Sequence, residues 1–191
     1  MTAGSVLAGA AHPVAEGLLL RPFRDEDAPA LIEAYRDETL RHFTLNPVDD
    51  AEQAAHWLGL QYRGWEQGSR YSFAVLEPDT GALVANVALK RATPGGPAAE
   101  VGYWTAAPAR GRGVAPRAVE ALTAWAFDTF AAEGLVRIDL LHQVDNLASC
   151  RVAEKSGYAF RELLTALPPE FPLDGHRHSR HRPAKPAGRH C

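Results

Sequence analysis

The sequence predicts one α+β domain in which helices flank a central sheet with both antiparallel and parallel strands. Two observations lead to this prediction. Three strand-like segments joined by short turns rich in proline and glycine lie between residues 71 and 107, as in an antiparallel meander. A long helical segment and a further strand follow, and such a crossover places two strands parallel in one sheet. The 191 residues, 46% of them apolar, suffice for one hydrophobic core.

One strand and two helices are predicted before the meander. Residues 18–22 are mostly leucine and end in proline, which indicates a strand. The acidic residues 25–27 favour the start of a helix over 28–36, and the break at 46–50 caps a second helix over 51–66. Apolar residues recur at helical spacing in both segments, so we expect each helix to pack one side against the sheet.

The meander and the segments after it follow from residue type and from turn signals. The three strands of the meander are predicted at 71–76, 83–91 and 100–107, because these segments are rich in β-branched, aromatic and small apolar residues. The long helix is predicted over 115–133, because Gly134 is a typical helix end. The remaining elements are a strand at 135–141, a helix that begins at Asp145 or Asn146 and ends at Lys155, and a strand at 158–164.

We divide the chain into a flexible N-terminal segment (1–15), the domain (16–173) and a basic, histidine-rich C-terminal segment (174–191) that is part strand and part disordered. The C-terminal segment carries five basic residues and one acidic residue, whereas the whole chain has a net charge of -3. The body of the domain is therefore acidic, which argues against dedicated nucleic-acid binding.

The two cysteines, Cys150 and Cys191, make no disulfide framework, which favours a reducing, cytoplasmic compartment. The first residues lack the basic leader of a secretory signal, and no apolar run approaches membrane-spanning length. We therefore expect no membrane partner.

The segment Arg110-Gly-Arg-Gly-Val-Ala115 joins a strand to the start of the long helix and predicts an anion site. Free N–H groups and the positive end of the helix dipole meet there, and glycines let a phosphate approach the main chain closely. Arginines add charge that pairs with phosphate oxygens. The segment is neither a Walker loop nor a dinucleotide-binding loop, because neither spacing of glycines is present. A plain strand-to-helix connection is the alternative interpretation.

This segment resembles the acyl-CoA loop of the GNAT superfamily of N-acetyltransferases, Arg/Gln-x-x-Gly-x-Gly/Ala, with Arg110, Gly113 and Ala115 at the defined positions. A second stretch, residues 145–158, resembles the same superfamily: an asparagine begins a helix that ends in Glu-Lys-Ser-Gly-Tyr. The position of Ser149, three residues after Asn146, resembles the pattern of the Rim-type branch, whose enzymes acetylate the N-termini of ribosomal proteins. Many other GNATs carry a tyrosine at the position of Ala153.

The resemblance, which covers residues 18–164, implies a GNAT-like fold and acetyl-CoA as co-substrate. By resemblance, the loop and helix start hold the pyrophosphate, and the pantetheine arm runs along the strand at 102–107, whose N–H groups near Trp104 or Thr105 also polarise the thioester carbonyl. The residues implied in binding acetyl-CoA are Trp104, Thr105, Ala107, Arg110, Gly111, Arg112, Gly113, Val114, Ala115, Asn146 and Ser149.

The implied reaction is attack of a primary amine on the thioester through a tetrahedral intermediate. Ser149 is the expected acid for the departing sulfur, and Glu100 is the leading candidate for the general base, ahead of Asp145 and His142. The base matters more for a lysine than for an α-amine, whose pKa is already near 8. We expect Cys150 to take no covalent part, because its sequence neighbourhood contains no partner base.

We expect no metal site. His176, His178 and His181 are spaced to converge, but no cysteine or acidic ligands accompany them in the sequence. In the Rim-type branch that the chain resembles, a final strand with apolar alternation fills this region; the basic residues here leave open whether that strand forms fully. The expected partners are acetyl-CoA and an amine acceptor, either a protein N-terminus or a small molecule, with a homodimer left open. A catalytically silent CoA-binding sensor or interaction module is the alternative function.

Overall fold

The computed structural model describes residues 12–44 and 46–183, and its described strands form one mixed sheet. The strands are β1 (Leu19–Pro22), β2 (Arg70–Leu76), β3 (Leu83–Lys90), β4 (Ala98–Thr105), β5 (Arg137–Gln143), β6 (Ala159–Leu164) and β7 (Gly175–His181). Their order across the sheet is β1-β2-β3-β4-β5-β7-β6, in which β4 and β5 are parallel and all other neighbours are antiparallel. The predicted mixed α+β sheet is confirmed.

Helices cover both faces of the sheet. They are α1 (Ala28–Tyr35), α2 (Glu38–His42), α3 (Ala51–Glu66), α4 (Val114–Thr129) and α5 (Leu147–Lys155). One core lies between the sheet and α4, where Val87, Val101 and Leu122 are among the fully buried residues. A second core lies between the other face and α1 and α3, around Phe23, Leu58 and Trp104. None of the described helices combines the length and hydrophobicity that a membrane-spanning helix needs.

Two helices differ from the sequence prediction. Helix α2 was not predicted because it is very short and buries Leu40 alone, which gives no readable periodicity; the Asp37 carboxylate caps it by accepting from Leu40 N at 2.8 Å. Helix α4 ends at Thr129, not near Glu133. Phe130 is the capping residue; its side chain is buried, with the Arg91 guanidinium carbon 4.1 Å from the ring centroid, and the chain continues in turns to Gly134.

The last strand, which the basic C-terminal segment had left in doubt, forms over the described residues. Strand β7 pairs with β5 along its whole length, from Gly175 opposite Gln143 to His181 opposite Arg137, and with β6 on its other side. Strand β7 accommodates its basic and histidine side chains as an interior strand, paired on both sides, with His178 and Ser179 buried. Of the predicted flexible N-terminal segment (1–15), residues 1–11 lie outside the described residues, and so do residues 184–191 of the C-terminal segment; both predictions stay untested.

Candidate active site

The parallel strands β4 and β5 separate partway along their length. They pair from Ala98 opposite Arg137 to Val101 opposite Leu140, and beyond that point no residues of the two strands are in register. Strand β4 continues to Thr105 and β5 to Gln143. The segment from Gly102 to Thr105 therefore pairs with β3 on one side only and presents free main-chain groups to the opening on the other.

Helix α4 begins beside this opening with two glycines in left-handed backbone. Gly111 has a φ of 75° and Gly113, the residue that caps the helix, a φ of 72°, a region that other residues enter at a cost. Within the described chain, the amide N–H groups of residues 111–115 have no main-chain acceptor. A positive helix end and free donors are what an anion site requires, and phosphate binding at this loop stays a prediction.

The arginines of this loop are held by acidic side chains from other elements. Arg110 forms an ion pair with Asp37, and Arg112 forms one with Glu77. The hydrogen bond from Arg110 lowers the pKa of Asp37, and that from Arg112 lowers the pKa of Glu77. Both arginines are thus positioned at the loop with their charge balanced, which leaves the main-chain amides as the free donors for an anion.

A cleft of about 1030 Å³ runs from the α4 N-terminus through the strand opening to helices α1–α3. Most of the residues predicted to bind acetyl-CoA or to catalyse line this cleft, namely Glu100, Trp104, Thr105, Arg110, Gly111, Gly113, Val114, Ala115, Asn146 and Ser149. Ala107 and Arg112 are not among the lining residues. Ala107 lies in a short, exposed helical turn after β4, and Arg112 points to Glu77.

Ser149 is buried in the first turn of α5 and is hydrogen-bonded to a residue that the sequence analysis did not select. The Tyr103 hydroxyl donates to Ser149 Oγ at 2.8 Å. Burial raises the pKa of Tyr103 to about 12, although the Ser149 hydrogen bond acts in the opposite direction. Tyr103 is therefore a neutral donor at ordinary pH, and the Ser149 hydroxyl keeps its own proton free to donate into the cleft.

Asn146 caps α5, as the sequence predicts. Its Oδ1 accepts from Ser149 N at 3.1 Å, which fixes the helix start and with it the position of the Ser149 side chain. Ala153, at the position where many relatives carry tyrosine, is fully buried in the core beside α4. Contact of Asn146 with pantetheine stays a prediction.

Glu100 lies on the opposite face of β4 from Ser149. Because side chains alternate along a strand, Glu100 shares a face with Trp104, which packs in the core under α1 and α3, whereas Tyr103 and Val101 pack on the α4 side. The Glu100 carboxylate accepts from Lys90 Nζ at 2.6 Å. Glu100 thus reaches the cleft from the α1–α3 side, already paired with a cation.

The other candidates near Ser149 are engaged in contacts that the sequence analysis missed. Asp145 Oδ2 lies 3.2 Å from His42 Nε2. Cys150 Sγ lies 3.4 Å from His142 Nε2 and 3.4 Å from His176 Nδ1. The expectations that no base accompanies Cys150 and no cysteine accompanies the C-terminal histidines are therefore wrong: sheet pairing brings distant residues together. Burial raises the pKa of the Cys150 thiol and lowers that of His142, so both groups are neutral.

The half of the cleft under α1 and α3 contains polar atoms without partners. Within the described chain, the Arg70 guanidinium makes no ion pair or hydrogen bond, and its Nε is buried. Burial lowers the pKa of Arg70, and Glu100 is the acid whose charge counteracts that effect. Asn86 Oδ1 and Trp104 Nε1 are also buried without a hydrogen-bond partner among the residues that the structure describes, and both residues line the cleft. These atoms mark a place where a polar ligand would satisfy them.

The comparisons with known proteins agree with this geometry. The family model described as the acetyltransferase (GNAT) domain matches residues 17–159. Among curated protein sequences, none matches the chain significantly. Hundreds of solved chains match it in fold.

Three of these solved structures illustrate the similarity in fold. A GNAT-family acetyltransferase from Bacillus anthracis is 21% identical, with 90% of this chain and 98% of that chain covered and a TM-score of 0.77. The ribosomal-protein-S5-alanine acetyltransferase from Vibrio fischeri is 18% identical, with 90% and 97% covered and a TM-score of 0.76. The microcin C7 self-immunity acetyltransferase MccE, solved with acetyl-CoA and AMP, is 15% identical, with 92% and 98% covered and a TM-score of 0.78.

Proposed function

The chain belongs to the GNAT acetyltransferase family, and from this premise we propose that it transfers an acetyl group from acetyl-CoA to a primary amine, as the Rim-type enzymes it resembles do. The observation that carries the proposal is the continuity of one cleft from the α4 N-terminus, through the opening between β4 and β5, to Ser149. Acetyl-CoA supplies the electrophilic thioester and a sulfur leaving group. The acceptor is the α-amine of a protein N-terminus or the amine of a small molecule.

The chain's own groups provide three subsites for acetyl-CoA. The free amides of residues 111–115 donate to the pyrophosphate at the positive end of α4. The unpaired edge of β4 from Gly102 to Thr105 aligns the pantetheine amides as a further strand would. An N–H of this edge, near Trp104 or Thr105, also stabilises negative charge that develops on the thioester oxygen.

Ser149 acts as the acid toward the departing sulfur, and Tyr103 positions and supports it. Because Tyr103 donates to Ser149 Oγ, the serine hydroxyl is oriented with its own proton away from Tyr103. When the serine hydroxyl donates to the developing thiolate, negative charge builds on Oγ. The hydrogen bond from the Tyr103 hydroxyl to the same oxygen stabilises that charge. The backbone cap by Asn146 keeps this geometry fixed.

The amine enters from the α1–α3 side, where Glu100 lies. Glu100 remains our candidate base, and it must exchange its Lys90 partner for the incoming amine to act. Arg70, unpaired within the described chain and in the same half of the cleft, favours an acceptor that carries a carboxylate or phosphate near its amine. An acidic side chain near a protein N-terminus meets this requirement, as does a small amino acid derivative.

Two measurements test the proposal. Calorimetric titration with acetyl-CoA should show binding to one site, and Gly113→Ala should weaken it. Turnover with a panel of N-terminal peptides and small amines, with and without an anionic group, should identify the acceptor class. Binding without turnover on any acceptor would support the alternative, a silent CoA-binding module. Failure to bind acetyl-CoA at all would refute the assignment of the cleft.

The remaining partners stay predictions. We place the enzyme in the cytoplasm, because its cysteines suit a reducing compartment and Cys150 is free in the structure. A homodimer is tested by sedimentation at the concentrations used for turnover.

A further inference from the structure

A cluster of three histidines and one cysteine lies beside the cleft, on the side away from Glu100. The side chains are His142 of β5, Cys150 of α5, and His176 and His178 of β7. One donor atom from each, a ring nitrogen or the cysteine sulfur, lies within 4.8 Å of all the others. The proposed acetyl transfer uses none of the four.

The fold brings the four residues together through strand pairing. His142 is directly opposite His176, and Leu140 is opposite His178. His176 and His178 are two residues apart on one strand, so both project from the face on which His142 also lies. Helix α5 crosses this face and places Cys150 over the three rings, with His178 the most deeply buried.

The distances between the donor atoms match those around a tetrahedral ion. Zinc–nitrogen bonds of about 2.0–2.1 Å and zinc–sulfur bonds of about 2.3 Å place two ligand nitrogens roughly 3.3 Å apart and a nitrogen and a sulfur roughly 3.6 Å apart. His142 Nε2 lies 3.3 Å from His178 Nε2. Cys150 Sγ lies 3.4 Å from both His142 Nε2 and His176 Nδ1. Three edges of the tetrahedron are therefore nearly formed before any ion binds.

The orientation of His142 is fixed by a second contact of the kind that metal-binding histidines make. Its Nδ1 lies 2.7 Å from the Gln143 carbonyl oxygen, which only accepts, so Nδ1 carries the proton and Nε2 presents its lone pair to the cluster. That lone pair faces the Nε2 of His178, and a cation between the two nitrogens satisfies both.

We propose that His142, Cys150, His176 and His178 bind one Zn²⁺ ion in a closed structural site. Nitrogen and thiolate ligands in a tetrahedron suit Zn²⁺, and four protein ligands leave no position for water or substrate. On binding, the Cys150 thiol releases its proton to solvent and the thiolate bonds to the metal. The ion joins α5 to β5 and β7 and so holds the helix that carries Ser149.

The test uses the full chain without an affinity tag, because a histidine tag binds metals itself. After chelator treatment, the protein is titrated with Co²⁺ alone and then with Zn²⁺. We expect one equivalent of Co²⁺ to bind with a thiolate-to-cobalt charge-transfer band and the intense visible bands of tetrahedral cobalt, and Zn²⁺ to displace it. The melting temperature should rise with Zn²⁺. Neither readout depends on acetyl-CoA, so this test and that of the acetyl transfer fail independently.

Variants identify the ligands. Cys150→Ser should abolish the charge-transfer band. His176→Asn removes one of four ligands and should weaken binding by more than the roughly 10–100-fold that loss of a residue supporting a ligand costs, while the band returns at saturating Co²⁺. The controls Cys191→Ser and His181→Asn should bind as the parent does. His181 lies on the same strand but outside the cluster. Three results would each overturn the proposal: absence of the band in the parent, its survival in Cys150→Ser, or unchanged binding in His176→Asn. If Cys150→Ser does not fold, His176→Asn alone provides the test.

Discussion

The contact between Tyr103 and Ser149 gives the most informative prediction for catalysis. Ser149→Ala removes the proposed acid, and general acid catalysis typically contributes 10²–10⁴-fold, so we expect kcat to fall by about that factor with a small change in KM. Tyr103→Phe removes one hydrogen bond of 2.8 Å and leaves the serine in place. A net hydrogen bond contributes about 0.5–1.5 kcal/mol, which corresponds to a loss of roughly 2- to 13-fold in kcat.

The two substitutions should not be additive. If Tyr103 acts through Ser149, Tyr103→Phe costs almost nothing in a Ser149→Ala background, and the coupling energy of the double-mutant cycle equals most of the single effect. The assay follows thiol release at saturating acetyl-CoA with the best acceptor of the panel. Tyr62→Phe is the matched control, because the Tyr62 hydroxyl donates to Asp25, away from Ser149.

Two results would refute this reasoning. An unchanged kcat in Ser149→Ala would exclude the serine as the acid. Equal losses from Tyr103→Phe in the parent and in the Ser149→Ala background would show that the phenol acts independently of the serine, for example by packing.

Three further predictions concern the loop, the acceptor and alkaline pH. Gly113→Ala should lower the free energy of unfolding by about 1–2 kcal/mol, because alanine is strained at a φ of 72°, and should also weaken CoA binding. Gly134 has a φ of 85° and equally open space around it. Gly134→Ala should therefore cost similar stability in chemical denaturation but leave CoA affinity unchanged. Arg70→Gln should lower kcat/KM roughly tenfold or more for anionic acceptors and little for neutral ones, whereas Arg63→Gln should change neither. Because burial raises the pKa of Tyr103 to about 12, the native state keeps a proton that the unfolded chain loses near pH 10. The free energy of unfolding should therefore fall as pH rises from about 10 to 12, by up to about 1.4 kcal/mol per pH unit for this group. Urea unfolding at several pH values should show a shallower fall in Tyr103→Phe. An identical pH dependence in parent and variant would contradict the burial of Tyr103.

Features that depend on local sequence could be predicted, and features that depend on strand order could not. The α4 loop is contiguous, so its glycines, arginines and helix start were readable together. Asn146 and Ser149 are three residues apart on one helix turn, and their relation was equally clear. The limits of strands and helices followed from the turns between them. The end of helix α4 was an exception, because the helix is capped at Phe130, earlier than predicted.

The contacts that the sequence analysis missed join residues on different elements that are far apart in the sequence. Tyr103 and Ser149 are 46 residues apart, and Cys150 and His176 are 26 apart, so no short pattern joins them. The proximity of Cys150 and His176 follows from the insertion of β7 beside β5, which was itself in doubt because its side chains are basic. The alternation along β4 was a usable signal for Tyr103: it identifies the residues that share a face, although not the helix that covers that face.

The order of the last three strands affects how the protein is made on the ribosome. Strand β6 is synthesised before β7, which is its only neighbour among the described strands. Phe160 and Leu163, exposed even in the folded protein, therefore lie on an unpaired segment until β7 is synthesised. Such segments are prone to stick to other nascent chains. The sheet is therefore completed only after residues 175–181 are made, and a chain stalled before residue 175 would leave β6 without a neighbouring strand.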